Sequence, residues 1–502
     1  MGVIRKQSIY ASLFSYFGAV VGFFTAAIIM PNLLLPEQIG VVKLVGAVTG
    51  VFSSVFSFGV GQLLFRMYPV YEEDIIKRRK LLYLSLKIAL TGSIVALPFF
   101  LITADQFFNL SVVTTGIDKG TLFLVLVFLS IVARLFYASL FGYVRMMNDV
   151  VIDAFIQNVY HKLATLVLLV ILFLDGLSVN MFVYLSTVIY LFYPILIGVR
   201  YLLKKDSVKP KALRLGSFGT KFSFTEQKEF FNLLLFGLLT TVGGSLYLYL
   251  DTLMVNHYLG EFEVGVYGTM FLFGIVVIIP ARSLKSIAVS VLSRSFKDND
   301  IESVSLVYKK SSITLLVVGG YLFLGIWCNT YTVFSVLPPA FELGKYIIFF
   351  IGLAQVADMM AGVNSELIAA SPHYRWNTWF TLLAIIVGLI VNVFLIPSYG
   401  MTGAAVATFS TILFVNIIRF YTVYKLYKIQ PFTTSTLKVI VVLVVLGLVV
   451  SWLPNIQHGL INLLYKGTVI TVIYAPTIYW MNVSEDLSDM MDKVLIKLRL
   501  KK

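Results

Sequence analysis

The 502-residue chain has one cysteine, Cys328, and few charged residues: Asp, Glu, Lys and Arg make up only 13% of it. A single cysteine cannot form an internal disulfide, and the chain has no Cys-x-x-Cys pair for zinc binding or redox chemistry. Soluble domains contain about 25% charged residues. Half that content, together with 59% hydrophobic residues, excludes a soluble enzyme, a disordered chain and a disulfide-stabilised scaffold.

Motifs that would indicate catalysis are also absent. The sequence contains no His-Glu-x-x-His zinc motif and no Gly-x-x-x-x-Gly-Lys-Ser/Thr phosphate-binding loop. Its four histidines are scattered, and the loops predicted on the outer side are too short to hold a catalytic domain. We therefore expect a protein that is not an enzyme and that has no metal centre and no cofactor.

Long apolar runs dominate the sequence instead. A membrane-spanning helix needs about 20 consecutive apolar residues, whereas a barrel strand needs about 10. About fourteen runs reach the helical length, which predicts an all-α polytopic membrane protein. These runs lie near 9–30, 40–65, 82–104, 121–143, 153–174, 179–199, 230–252, 264–290, 311–333, 345–368, 378–396, 402–424, 437–453 and 460–481.

Lysine and arginine are distributed unevenly between the two ends of these runs. With the N-terminus placed in the cytoplasm, thirty of the 39 basic residues fall in cytoplasmic segments, and only Lys119, Lys345 and Lys466 fall in outer loops. Cytoplasmic loops of membrane proteins are enriched in Lys and Arg. Both termini are therefore predicted to be cytoplasmic, and the net charge of +14 reflects topology rather than nucleic-acid binding.

The spans of the second half repeat the spacing of the first. The spans that start at 264 and 345 lie 224 residues after those that start at 40 and 121. An even number of spans returns the chain to the same side of the membrane, so the repeat predicts two six-helix bundles in parallel orientation. Parallel repeats of this kind are typical of transporters, which carry their cargo between the halves.

The predicted organisation has five parts. They are an N-terminal six-helix bundle (1–203), a basic cytoplasmic linker (204–229), a C-terminal six-helix bundle (230–428), two extra transmembrane helices (429–482) and an amphipathic cytoplasmic tail (483–502).

Several cations lie inside predicted spans, where a charge costs about 2.5–3.5 kcal/mol on insertion scales. They are candidates for function unless they pair locally or reach the membrane surface. The candidate substrate-binding residues are Lys43, Arg134, Lys162, Arg282 and Lys285. A cavity lined by them would be positive and would suit an anionic cargo, because arginine in particular binds phosphate through two parallel hydrogen bonds.

Two acidic residues inside spans, Asp251 and Asp358, have alternative readings. They either form a site for a coupling cation, H⁺ or Na⁺, or they are structural partners of the buried cations. Asp358 lies 224 residues after Arg134, so the repeat would place these two residues at equivalent positions. A salt bridge between the two bundles is therefore one expectation.

The stretch Asn392-Val-Phe-Leu-Ile-Pro-Ser-Tyr-Gly-Met-Thr-Gly-Ala-Ala-Val-Ala-Thr408 resembles the hairpin between the eleventh and twelfth helices of polysaccharide-export flippases. Phe58-Gly59-Val60-Gly61, followed by Arg66 and Pro69, is a further match, as is Asp251 followed by Gly265-Val266-Tyr267. The chain is thereby identified as a member of the polysaccharide transporter branch, the O-antigen flippases, of the multidrug/oligosaccharidyl-lipid/polysaccharide flippase superfamily.

The resemblance implies two six-helix bundles around a cationic lumen, with two extra helices. It implies a monomer in the bacterial inner membrane that moves undecaprenyl-pyrophosphate-linked repeat units of O-antigen, capsule or exopolysaccharide to the outer leaflet by alternating access. Its partners would be the lipid-linked oligosaccharide, membrane lipids and polymerases of the same pathway. In this scheme Arg282 and Lys285 engage the pyrophosphate first, and Arg134 and Lys43 hold it deeper.

Several alternatives stay open. Flippases of the peptidoglycan precursor keep arginines in the first, second and eighth helices, whereas here the first span has none and the second has Lys43. Multidrug antiporters of the superfamily use acidic residues in the N-terminal bundle, whereas spans one to three here contain none. A non-transporting scaffold, a scramblase and a membrane polymerase are the remaining readings.

Overall fold

The computed structural model describes residues 2–71, 73–110, 116–146, 150–203, 224–483 and 492. Within these ranges the chain forms helices and no β-strand, as apolar runs of spanning length predict, because a helix satisfies its own backbone hydrogen bonds in lipid. The chain divides into two compact units, Met1–Gly265 and Val266–Lys502. Most of the predicted linker and of the amphipathic tail lies outside the described residues, and the five-part organisation stays a prediction.

The first unit consists of helices that range from 4 to 35 residues in length. Its elements are α1 (Gly2–Phe23), α2 (Met30–Leu33), α3 (Pro36–Phe56), α4 (Val60–Val70), α5 (Ile75–Phe108), α6 (Thr121–Met146), α7 (Val150–Phe155), α8 (His161–Phe173), α9 (Val179–Val188), α10 (Phe192–Leu203), α11 (Phe224–Tyr258) and the first residues of α12 (Glu261–Ile275).

Local sequence signals set where these helices begin. Pro36 occupies the first turn of α3, where its missing N–H costs nothing, and the side chain of Gln38 accepts a hydrogen bond from the backbone N–H of Leu35 at 3.0 Å. Asp74 caps α5, since its carboxylate accepts from the N–H groups of Ile76 and Lys77 at 2.9 and 3.0 Å.

Small polar residues tie the spans of this unit together. The hydroxyl of Ser130 on α6 donates to the carbonyl of Thr187 on α9 at 2.9 Å, and that of Ser139 donates to the carbonyl of Ser85 on α5 at 3.0 Å. Both serines are fully buried. Hydrogen bonds of this kind hold helices together where lipid offers no hydrophobic driving force.

The second unit continues α12 and adds eight helices to it. They are α13 (Ile279–Lys297), α14 (Ile301–Trp327), α15 (Thr330–Val336), α16 (Lys345–Met360), α17 (Asn364–Ala370), α18 (Trp376–Tyr427), α19 (Thr434–Trp452) and α20 (Gly459–Trp480).

The core of the second unit gathers around α14. Leu316 on α14 packs in one cluster with Met359 on α16, Val439 on α19 and Ile470 on α20, all of them buried. The hydroxyl of Tyr474 donates to the carbonyl of Val317 at 2.9 Å. The last two helices are thus built into the core of this unit.

The helix α18 contains a reversal at Gly400. This residue has φ +58° and ψ −142°, a conformation outside the helical region that favours glycine. A Cβ at Gly403 would lie 2.0 Å from the carbonyl oxygen of Leu395, whereas residues eight apart in a straight helix are separated by about 12 Å. The 52 residues of α18 therefore form a hairpin, as the predicted spans 378–396 and 402–424 require.

Thirteen helical stretches in the described residues are long and apolar enough to cross a membrane, and α18 is one of them. Because α18 contains two predicted spans, the thirteen correspond to the fourteen expected runs. Large apolar side chains stand exposed on these helices, among them Trp452 at 87% and Trp480 at 83%. Lipid rather than water suits such a surface, and the prediction of an all-α polytopic membrane protein is confirmed.

Candidate functional site

A cavity of about 210 Å³ opens inside the first unit, among residues of the first helical run, α3, α8 and α9. Its wall combines small residues with a few polar and basic ones. The lining residues are Gly22, Thr25, Ala26, Met30, Val42, Lys43, Val45, Gly46, His161, Lys162, Thr165, Ser186 and Tyr190.

Two π-helical segments help to form this wall. Phe24–Ile29 interrupts the first helical run and contains Thr25, and Ile156–Tyr160 ends immediately before His161. A π-helical turn is rare and is frequently found at functional sites. Its wider turn changes the direction of the side chains that follow, and here the cavity lies beside both segments.

Lys43 is the basic residue that α3 presents to the cavity. Its side chain is half-buried and forms no hydrogen bond or ion pair with the described residues. Lys162 on α8 lines the same cavity, and its stem lies against Gly22, where a Cβ would come within 2.6 Å of the lysine Cδ. The glycine thus makes room for the second lysine, and the structure brings these two predicted residues together.

Arg134 lies behind the wall, on α6. Its guanidinium donates to the hydroxyl of Thr49 at 2.9 Å and to the carbonyl of Gly46 at 3.3 Å, and it lies 5.2 Å from the centre of the Tyr190 ring. These partners are neutral, as is Tyr249, which also forms a side-chain hydrogen bond with Arg134. Together they orient the guanidinium without cancelling its charge. Gly46 and Tyr190 also line the cavity, which connects Arg134 to the site through them.

Two polar atoms of the wall are buried and have no hydrogen-bond partner among the described residues: the hydroxyl of Thr25 and Nδ1 of His161. The His161 ring packs on Tyr190, with 4.9 Å between the ring centres. An unsatisfied buried polar group costs free energy. Water or a polar ligand in the cavity would remove that cost, and an anion would in addition attract Lys43.

The second unit holds a different kind of charged cluster. Lys285 on α13 forms an ion pair with Asp358 on α16, with 2.7 Å between Nζ and Oδ2, and the two side chains are 15% and 18% exposed. The amide of Asn416 donates to the other carboxylate oxygen of Asp358 at 3.1 Å, and Asn364 donates to Asn416 at 2.9 Å. The charges of Glu366 and Arg419 also act on this pair.

The remaining predicted residues occupy separate places. Arg282, three residues before Lys285 on α13, is exposed, and Asp251 is half-buried on α11.

A salt bridge of Arg134 with Asp358 was one expectation. In this structure Arg134 bonds to Thr49 and Gly46, and Asp358 is paired with Lys285, because a lysine of its own unit lies within reach.

Sequence reasoning missed Thr25, His161, Tyr190 and Asn416. No motif marks them, since they come from helices far apart in the chain. A signal for His161 was its position next to Lys162 in an apolar run.

Among the described residues, no group of three His, Cys, Asp or Glu side chains is placed to hold a metal ion.

The chain belongs to the family described as polysaccharide biosynthesis protein, which matches residues 4–292. It is 21% identical over 189 residues to the protein described as the probable low-salt glycan biosynthesis flippase Agl15 of Haloferax volcanii. That match covers 38% of this chain and 40% of the relative.

Solved transporters share the fold. The lipid II flippase MurJ, in an inward closed conformation, has a TM-score of 0.69 at 15% identity, covering 95% of this chain and 100% of MurJ. An inward-facing multidrug resistance MATE family transporter of the MOP superfamily has a TM-score of 0.61 at 14% identity, covering 84% and 94%. At these identities the likeness to the solved structures shows the fold alone, and the family match confirms that the chain resembles polysaccharide biosynthesis proteins.

Proposed function

We propose that this chain is a lipid-linked oligosaccharide flippase rather than an enzyme. It moves undecaprenyl-pyrophosphate-linked repeat units of O-antigen, capsule or exopolysaccharide from the inner to the outer leaflet of the bacterial inner membrane by alternating access. The family and the transporter fold support movement of a polysaccharide precursor across the membrane. The single observation that carries the choice of cargo is the cavity with Lys43, Lys162 and two unsatisfied polar atoms.

The chemistry of the cavity matches a phosphate group. Lysine provides up to three donors, a threonine hydroxyl provides one, and a histidine nitrogen can donate when protonated. Hydrogen bonds to an ionised group contribute about 1.5–3 kcal/mol each. A cavity of about 210 Å³ accommodates the diphosphate, and the lipid tail stays in the bilayer because its burial there is favourable.

Arg282 and Lys285 were expected to engage the pyrophosphate first. Lys285 is neutralised by Asp358, so we assign it a structural role within the second unit. Arg282 is exposed and keeps its proposed role in first contact. Asp358, as the partner of Lys285, shares that structural role. Asp251 remains a candidate for coupling to H⁺ or Na⁺, and a dependence of transport on one of these gradients would test that role.

Reconstitution tests the proposal. In proteoliposomes with a fluorescent sugar on a polyprenyl diphosphate, the wild type should move the lipid to the opposite leaflet, as read by an impermeant quencher. Lys43→Gln should slow this movement about tenfold or more, because one charged hydrogen bond is lost. The control Lys87→Gln changes an exposed lysine of α5 and should leave the rate unchanged. No movement above that of empty liposomes would reject the flippase.

A second candidate cargo is the peptidoglycan precursor, lipid II. It is considered because the chain shares its fold with the lipid II flippase MurJ, at a TM-score of 0.69. The cavity itself would accept the diphosphate of either cargo, so the sugar determines which of the two lipids is moved. Competition between the two lipids in the same liposomes would separate them: the native cargo should inhibit movement of the other at the lower concentration.

A further inference from the structure

A buried ion pair joins two distant parts of the first unit. Lys119, just before α6, meets Glu261, the first residue of α12, with 2.6 and 2.8 Å between Nζ and the two carboxylate oxygens. Each side chain is only 3% exposed. Lys119 also donates to the carbonyl of Phe108 at 2.8 Å, at the C-terminal end of α5, where a cation is favoured.

Asp118, the residue before Lys119, anchors this segment to α9. The backbone N–H of Asp118 donates to the side chain of Asn180 at 3.1 Å, and the hydroxyl of Tyr184 donates to the carbonyl of Asp118 at 2.9 Å. Asn256, near the end of α11, donates to the carbonyl of Phe107 at 2.8 Å. Charged and polar bonds thus tie the end of α11 and the start of α12 to the preceding helices.

A reciprocal glycine contact lies beside the ion pair. A Cβ at Gly40 on α3 would come within 1.9 Å of the carbonyl oxygen of Glu261, and one at Gly265 on α12 would come within 1.8 Å of that of Pro36. The starts of the two helices therefore touch through their backbones at these two glycines. We call the four residues Lys119, Glu261, Gly40 and Gly265 the clasp.

We propose that the clasp is the outer gate of the transport cycle, closed in this structure and opened each time cargo leaves. The inference rests on the proposed flippase function, and the distribution of Lys and Arg places Lys119 on the outer side. It goes beyond the cargo site, because neither charged residue lines the cavity around Lys43.

An ion pair is suited to a contact that must break repeatedly. The attraction between two buried charges is largely offset by the cost of removing them from water. When the gate parts and water enters, both charges regain hydration, so the opening is nearly balanced in free energy. The glycine contact also favours reversible opening, because the backbones can separate there without a glycine side chain having to leave a pocket.

Reversible cross-linking tests the gate. In a Cys328→Ser background, Lys119→Cys with Glu261→Cys is treated with a reducible bifunctional thiol reagent. Cross-linked protein should move the labelled lipid at less than a tenth of the uncross-linked rate, and reduction should restore the rate. The matched control is Glu342→Cys with Lys345→Cys, an exposed outer pair within one short segment, which should transport equally before and after cross-linking. Full transport by the cross-linked clasp variant would overturn the proposal.

A second measurement needs no cargo. Asn256 is 5% exposed, and Asn256→Cys should react slowly with an impermeant maleimide added from outside. Adding Glu261→Gln leaves Lys119 charged and unpaired, which favours the open state. The rate of labelling should then rise at least fivefold. The control, Lys345→Gln added to Asn256→Cys, should leave the labelling rate unchanged. Equal rates with and without Glu261→Gln would refute the gate, whereas failure of the wild type to move any lipid would refute only the proposed function.

Discussion

At the scale of single residues, the basic side chains in the spans divide by their partners. Lys285 has a carboxylate at 2.7 Å, and Arg134 has a hydroxyl, a carbonyl and an aromatic ring. Lys43 faces a cavity without such a bond. A buried charge that is paired contributes to structure, whereas one held by neutral groups or facing a cavity remains available to an anion.

The pair in the second unit should therefore behave as a structural element. Asp358→Asn leaves Lys285 without its charged partner and should destabilise the protein by about 3 kcal/mol. Lys285→Met combined with Asp358→Leu removes both charges and should cost less than about 1 kcal/mol. Thermal unfolding in detergent would rank the three proteins. A double variant less stable than Asp358→Asn would contradict this account.

Which of these roles the sequence could reveal depends on how far apart the partners are. Lys43 was found because a cation inside an apolar run is conspicuous by itself. The pairing of Lys285 with Asp358, 73 residues away, and of Lys119 with Glu261, 142 residues away, depends on how the helices pack. The unsatisfied atoms of Thr25 and His161 become visible only once the cavity is formed.

At the scale of helices, the hairpin in α18 depends on one backbone conformation. Gly400→Ala places a Cβ at φ +58° and ψ −142° and should destabilise the protein by about 1–3 kcal/mol through strain. Gly325→Ala is the matched control, because it lies within helix α14 and a Cβ there would meet nothing within 4 Å. That change should be neutral or stabilising. Equal unfolding temperatures for the two variants would contradict the role of Gly400.

The start of α14 should show a pH dependence. The hydroxyl and then the backbone N–H of Ser303 donate to the Asp300 carboxylate and hold the pKa of Asp300 below its ordinary value. The cap therefore stabilises the fold fully at pH values above the pKa of Asp300 in the unfolded chain, about 4. This stabilisation is lost as the pH falls through the lower pKa that Asp300 has in the folded protein. The difference in unfolding temperature between wild type and Asp300→Asn should shrink as pH is lowered from about 5 to 3. A constant difference would argue against the cap.

At the scale of the whole molecule, the hairpin decides on which side the chain ends. Fourteen crossings return the C-terminus to the side of the N-terminus, whereas thirteen would not. The distribution of Lys and Arg predicts that this side is the cytoplasm. Reporter fusions that are active only in the cytoplasm should therefore be active at both termini. Activity at only one terminus would show that α18 crosses the membrane once.

Most of the fold followed from one general property of the sequence, the length of its apolar runs, because lipid excludes unpaired backbone groups. The orientation predicted from the distribution of Lys and Arg stays a prediction. The reversal at Gly400 was also foreseeable, since Pro397 and Gly403 flank it. The clasp was not, because the close approach of Gly40 to Glu261 follows from tertiary packing.

The reciprocal contact of Gly40 and Gly265 has a consequence for the origin of this architecture. The two glycines lie 225 residues apart, within one residue of the predicted repeat, and each touches the first residue of the other's helix. Equivalent positions that meet one another in this way form an isologous contact, the kind a homodimer makes. Together with the predicted repeat, this reciprocal contact is what duplication of a half-length chain that paired with its own copy would leave behind.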